Sequence, residues 1–213
     1  MDINDADLMD GDDNQPMTRV LVTTTYSMDS IVFAITKFSI ERVYLLIDRK
    51  PDEIQQKTIS AIKDSYANVL EIKEKKIEKY DIVSIAKDIV DLIDAISNKD
   101  EIFVNVTPGR KTQALGVVFA CYARHMRIKK LFYVADEEPK EMITLPLLSF
   151  ELTESQKDIL EHIEKYEHLA KMSVELDTSR AMLYRNIKDL KAKGLIEENG
   201  GLKLTDAGKI AKL

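Results

Sequence analysis

From residue 19 onward, short apolar runs alternate with stretches in which apolar positions recur every three or four residues. The runs 18–26 (TRVLVTTTY), 41–48 (ERVYLLID), 69–72, 101–107 (EIFVNVT), 129–136 (KKLFYVAD) and 141–148 (EMITLPLL) predict six strands. Helical spacing predicts helices over 29–38, from Pro51 to about Ala67, from Asp81 to about Asn98 and from Lys111 to about Met126. In the third of these, Ile82, Ile85, Ile89, Leu92 and Ile96 fall on one face. The charged run 73–79 (KEKKIEK) reads as a solvated segment, and Glu137 to Lys140 as the turn into the last strand. The continuous apolar run inside 41–48 is the pattern of a strand covered on both faces. Alternation of this kind predicts an α/β fold: a Rossmann-like, mostly parallel sheet flanked by helices.

Past residue 150 the pattern changes. Thr153 is placed to cap a helix that buries Ile159, Leu160 and Ile163, and Leu169, Met172 and Leu176 mark a second, short one. Asp177 and Thr178 turn into a third, with Ser179 as N-cap, Leu183, Ile187 and Leu190 on one face and Gly194 at its end. Leu195 to Glu198 and Leu202 to Leu204, joined by Asn199-Gly200-Gly201, read as a hairpin, and Thr205-Asp206 opens a last helix. The pattern divides the chain into 17–150 and 151–213, with no Gly or Pro at 149–152 to loosen the junction. Beside the apolar seam of the third helix, Arg180, Tyr184 and Lys188 form a stripe, and Arg185 points further out. This order of three helices, two-stranded wing and helix resembles the winged helix-turn-helix domains of microbial transcription regulators. ArsR- and MarR-like regulators share the run that ends here in Lys193-Gly194-Leu195-Ile196. The resemblance implies binding of double-stranded DNA through Ser179, Arg180, Tyr184, Arg185 and Lys188, with Arg180 and Tyr184 nearest the bases. A unit of the same shape used only for protein contacts is the plainer alternative.

Charge qualifies that picture. Residues 151–213 hold 11 basic against 12 acidic residues, but 179–193 hold five basic residues and one acid. A local excess can meet phosphate, whereas the acidic remainder implies modest affinity per monomer and therefore a dimer. Residues 1–16 carry six acids, no base and no apolar core, which predicts a disordered tail or cloning remnant ahead of a start at Met17, not a signal peptide. No apolar run approaches the roughly 18 residues of a membrane span. The lone Cys121 has no internal disulfide partner, and the three His are too scattered for a zinc site. The expectation is a cytoplasmic protein with no membrane partner, metal or cofactor.

Residues 17–150 contain two glycines, Gly109 and Gly116. Neither the three-glycine dinucleotide fingerprint nor a P-loop can be assembled from them, which disfavours the common NAD enzymes and P-loop NTPases. Gly109 lies in 105–111 (NVTPGRK), after a strand and at a helix start, where open α/β sheets place ligands. Pro108-Gly109 makes a tight turn and lets backbone approach an anion that the helix start favours; Arg110 and Lys111 add cations, and Asn105 and Thr107 suit a sugar or base edge. A structural turn with two surface cations is the plainer alternative. The loop Thr24-Thr25-Tyr26-Ser27-Met28-Asp29 offers hydroxyls and a ring, although Asp29 also fits a helix cap and Tyr26 a core position. The basic run 124–130 reads as surface charge at a helix end.

Segment 105–111 resembles the fourth-strand motif of CARF domains: Asn, any residue, Ser or Thr, Gly, Gly, Thr or Ser, Lys or Arg. Pro108 stands at a glycine position and Arg110 at the hydroxyl position. Over 17–213 the chain resembles the CARF-containing transcription regulators of archaeal CRISPR–Cas loci. That resemblance implies a homodimer that binds cyclic oligoadenylate across its two-fold axis, with Thr24, Thr25, Tyr26 and Ser27 joining Asn105, Thr107, Pro108, Gly109, Arg110 and Lys111. Two copies each of Arg110 and Lys111 match the four phosphates of cyclic tetra-adenylate. It implies a ligand-responsive regulator with no catalytic residue. A ring nuclease degrading the ligand, and a metabolite-sensing repressor unrelated to CRISPR, are the alternatives.

Overall fold

The apolar runs predicted as strands do pair into one sheet, in a computed structural model that describes residues 16–137, 140–166, 169–199 and 201–213. Residues 1–15 of the expected tail, Glu138-Pro139 of the predicted turn and Gly200 of the predicted hairpin lie outside that set. The first unit runs β1 (Arg19–Thr24), α1 (Met28–Phe38), β2 (Arg42–Asp48), α2 (Glu53–Tyr66), β3 (Glu71–Ile77), α3 (Ile82–Ala95), β4 (Glu101–Asn105), α4 (Lys111–Ala123), β5 (Ile128–Val134) and β6 (Met142–Thr144). The sheet order is β3-β2-β1-β4-β5-β6, parallel except for β6. The fold is α/β and Rossmann-like. The chain enters at the middle of the sheet, builds outward to β3, then returns to the other side of β1. Strand order therefore reverses between β1 and β4, and their carboxyl ends border a crevice.

Both faces of the sheet are covered, as a parallel sheet requires. Leu21, Val43, Leu45, Ile47, Phe103 and Phe132 pack under α1 and α2, with Ile31, Ala34, Ile59 and Ile62. Val20, Val22, Leu46, Ile102, Val104 and Leu131 pack under α3 and α4, with Ile85, Ile89, Ile93, Val117 and Cys121. Asp52 and Asp81 cap α2 and α3 by accepting from Gln55 N and Ser84 N, each at 3.0 Å.

The expected boundaries change at four places. The strand expected over 69–72 lies at 71–77, so most of the run read as solvated is in the sheet. It is an edge strand with only Ile77 buried, and Lys and Glu are the residues that keep an open edge from pairing further. β6 is shorter than 141–148: Leu145 N still donates to Leu131 O, but Pro146 has no N–H to continue the ladder. α3 stops at Ala95 and α4 at Ala123. The basic run 124–130 is divided between a 3-10 turn and β5, and Arg124 pairs with Asp94 at 2.8 Å and Lys129 with Glu101 at 2.7 Å.

Beyond β6 come α5 (Glu154–His162), α6 (Leu169–Glu175), α7 (Arg180–Ala192), β7 (Ile196–Glu198), β8 (Leu202–Leu204) and α8 (Asp206–Ala211). Thr153 and Gln156 form a reciprocal capping box at α5. Asp177, in a left-handed conformation (φ 42°), makes the turn between α6 and α7. α7 ends in a Schellman motif: Leu195 N donates to Leu190 O and Gly194 N to Lys191 O, with Gly194 at φ 71°. A separate core of Ile159, Leu160, Met172, Leu183, Ile187, Leu190, Ile196 and Leu204 holds these elements together. α8 reaches back to the first unit, where Ile210 is buried in the core under α3 and α4 and Leu213 packs against it.

Candidate ligand mouth and exposed helix face

The carboxyl ends of β1, β2 and β4 meet in a polar mouth. Gly109, between β4 and α4, lies flat against Thr24 at the end of β1: a Cβ on Gly109 would stand 2.5 Å from Thr24 Cβ. Only glycine permits this approach, which brings the start of α4 over the β1 loop. Tyr26 Oη donates to Asp48 Oδ2 at 2.8 Å and lies 3.4 Å from Asp52 Oδ2. The Arg110 guanidinium carbon stands 5.1 Å from the centre of the Tyr26 ring, a cation–π distance. Arg110 also reaches Asp52 at 3.3 Å and Asp48 at 3.6 Å.

Asp48, at the end of β2, is fully buried. It accepts from Tyr26 Oη, from Gln113 Nε2 at 2.7 Å, and pairs with Lys79 Nζ at 3.0 Å. Burial alone would raise its carboxyl, but the hydrogen bonds from Tyr26, Lys79 and Gln113 outweigh it and hold the group below the ordinary carboxylate range. Burial, then the Asp48 hydrogen bond and charge, push the Tyr26 phenol up, so it remains a donor at neutral pH. Gln55, also buried, ties this corner together: its Nε2 donates to Thr25 O at 3.0 Å and its Oε1 accepts from Asp48 N at 2.9 Å.

Of the residues predicted for the ligand, Thr24, Thr25, Tyr26, Pro108, Gly109 and Arg110 come together here. Asn105 and Thr107 lie at the same end but are engaged within the chain. Asn105 Oδ1 accepts from Thr107 N (3.1 Å) and Thr107 Oγ1 (2.6 Å), Asn105 Nδ2 donates to Ser30 O (3.3 Å), and Thr107 Oγ1 accepts from Val134 N (2.7 Å). Ser27 is the N-cap of α1 without a capping side-chain bond, which puts Asp29 in the first turn and not at the cap. Ser27, Ser30 and Lys140 help line a neighbouring cavity of about 270 Å³. Lys111 opens α4 and is exposed. Sequence reasoning missed Asp48, Asp52, Gln55, Lys79 and Gln113. Among the described residues, three buried polar atoms of this region have no hydrogen-bond partner, Thr24 Oγ1, Ser30 Oγ and Gln113 Oε1, and Arg110 Nε has only the longer ion pair to Asp48. Cys121 is buried in the core away from the mouth, and burial pushes its thiol up, leaving it unreactive. Among the described residues no group of His, Cys, Asp and Glu could hold a metal, and no helix is long and apolar enough to cross a membrane.

The second polar surface is the outer face of α7. Ser179 Oγ accepts from Met182 N at 3.2 Å and caps the helix. Leu183, Ile187 and Leu190 are buried beneath it, while Arg180, Tyr184, Arg185 and Lys188 are exposed, Tyr184 beside an open cleft between α7 and the hairpin. Among the described residues, Arg180, Arg185 and Lys188 form no ion pair. The other two cations expected on this helix are occupied: Lys191 pairs with Glu198 at 2.5 Å, and Lys193 Nζ donates to Glu151 O at 3.2 Å.

Among solved structures, the chain is similar to a type III CRISPR defence DNA nuclease activated by cyclic oligoadenylate, at 12% identity and TM-score 0.45, over 61% of this chain and 20% of that one. It is also similar to protein VC1899 from Vibrio cholerae, at 11% identity and TM-score 0.43, over 90% of this chain and 64% of that one. The chain thus spans less than two thirds of the length of either structure. No curated protein matches it. A family described as "HFX_2341_N:-like, N-terminal" matches residues 20–139, from the first strand to the β5–β6 connection and more than half of the 213 residues. The chain belongs to that family.

Proposed function

We propose that this protein is a ligand-responsive transcription regulator of CRISPR–cas loci. In this reading residues 17–150 form a CARF-like domain that binds cyclic oligoadenylate, and residues 151–213 form a winged helix-turn-helix that binds double-stranded DNA. The observation that carries it is that Thr24 Oγ1 and Gln113 Oε1, buried at the strand ends, have no hydrogen-bond partner among the described residues, beside an Arg110 Nε held only by a longer ion pair to Asp48. Buried polar groups are nearly always hydrogen-bonded. Two such atoms on segments that converge at one mouth support a ligand that completes them, and the cations Arg110, Lys79 and Lys111 favour an anionic one. The likeness of NVTPGRK to the CARF motif supports a cyclic nucleotide among anions.

A homodimer is supported by α4, whose apolar residues are not confined to one face. Val117, Ala120 and Cys121 are buried, while Leu115 is 48% exposed and Val118 and Tyr122 are partly so. A helix apolar all round wants a second partner, and a second copy here would bring two mouths to one axis. DNA binding is supported by Arg180, Arg185 and Lys188 of α7, which form no ion pair among the described residues and are positioned over a fixed apolar seam.

The test is incubation of the purified protein with cyclic tetra-adenylate, followed by chromatography. Retention of the intact ring at one per dimer is the expected result. A linear product would make the protein a ring nuclease, and absence of binding would leave a repressor for some other ligand.

A further inference from the structure

The segment 78–81, between β3 and α3, touches the ligand mouth on one side and borders a cleft shared with α8 on the other. On the mouth side Lys79 Nζ pairs with buried Asp48 at 3.0 Å. Lys79 O accepts from Thr112 Oγ1 and Glu78 O from Gln113 Nε2 (3.3 Å), so the segment is tied to the first turn of α4. Asp81 then caps α3 through Ser84 N. On its other side Tyr80, Asp81, Ile82 and Phe119 face Asp206, Lys209 and Ile210 of α8 across a cleft of about 600 Å³.

α8 cannot move independently of α7. Thr205 N donates to Leu195 O at 3.1 Å, and Thr205 Oγ1 donates to Gly194 O at 2.7 Å. The α8 backbone is so close to the end of α7 that a Cβ on Gly208 would lie 2.0 Å from Leu195 O. At the other end Ile210, 4% exposed, anchors α8 in the core under α3 and α4. A shift of segment 78–81 would therefore pass to α3, which Asp81 caps, and from the core under α3 through Ile210 to α8 and the C-terminal end of α7.

We infer that segment 78–81 and α8 form a relay inside one protomer. Lys79 is a positioning residue: paired with Asp48, it holds α8, and through it α7, in the ligand-free orientation. An anion in the mouth competes with Asp48 for Lys79, whose side chain is 32% exposed and so can be reached. Loss of that pair loosens the dock of α8. The relay rests on the proposed anion site for its trigger, but its mechanical part exists without ligand.

The experiment is hydrogen exchange on the full chain with no ligand present. Lys79→Met should speed exchange about tenfold at the α8 amides of Lys209, Lys212 and Leu213, while β1 amides stay unchanged. Because the α8 dock is shared, Ile210→Ala should in turn speed exchange at Ser84 and Ile85, the first capped amides of α3. Unchanged exchange at these positions in both variants overturns the relay, as does equal acceleration in β1, which would signal global unfolding. Addition of cyclic tetra-adenylate to the unmodified protein should reproduce the Lys79→Met pattern. Ring binding without that pattern overturns the relay. Failure of the ring to bind, with the two variants behaving as expected, upholds the relay and rejects only the ligand's identity.

Discussion

At the mouth of the sheet, Arg110 and Lys79 are held by the carboxylates of Asp48 and Asp52, whereas on α7 Arg180, Arg185 and Lys188 stand in solvent with no ion pair among the described residues. The same kind of charge is thus used in two ways. Free, exposed cations act through counterion release, so binding by α7 should depend steeply on salt and need little rearrangement. Cations already paired with a buried carboxylate are pre-positioned, and an incoming anion must take them from a partner. Such a site is less sensitive to salt and more sensitive to the state of that carboxylate. The proposed sensing site and the proposed nucleic-acid surface differ in this way.

The largest expected effect concerns what lies under the free cations. Leu183→Ala empties the seam of α7 and should cost about 2–5 kcal/mol of stability in denaturant unfolding. The loss should be confined to residues 151–213 if the two cores unfold separately. Next comes the mouth: Gly109→Ala forces a Cβ into Thr24, so a cost of about 1–3 kcal/mol and loss of ring binding by calorimetry are expected. Ring binding at unchanged affinity would show that the close approach of β1 and α4 does not shape the site.

The third prediction concerns acid. Asp48 has its carboxyl held low in the folded chain, so its stabilising contribution is fully present above the unfolded value of about 4 and is lost as pH falls through the lower folded value. Stability should fall more steeply with acid in the unmodified protein than in Asp48→Asn, and an identical acid limb would contradict the pairing described here. The smallest effect is on α7. Arg185→Ala should leave stability within about 0.5 kcal/mol, yet lower the salt slope of DNA binding by about one. If Arg110→Ala changed that slope equally, the contrast between the two surfaces would fail.

The helical unit was easier to read from sequence than the mouth because its signals are local. Ser179, Leu183, Ile187, Leu190 and Gly194 lie within one helix and its caps, and each sits where spacing placed it. The turn at Gly109 was legible for the same reason. Asp48 was not, since its partners Tyr26, Lys79, Arg110 and Gln113 come from other segments of the chain, with Gln113 65 residues away. A single acid closing the apolar run of β2 was the one available hint. Asn105 and Thr107 read as ligand groups from the sequence, while their bonds to each other, to Ser30 and to Val134 depend on strand packing that no local pattern reveals. β3 escaped for a related reason: charge reads as solvent exposure until the strand is known to lie at a sheet edge.

The central claim is that occupation of the mouth is felt at α7. Its most direct test is the affinity of the full-length protein for promoter DNA, measured with and without saturating cyclic tetra-adenylate in the same salt. The account predicts a change of about 5- to 150-fold, matched by an equal change in ring affinity when DNA is saturating, because the coupling is reciprocal. The same DNA affinity with and without bound ring would contradict it.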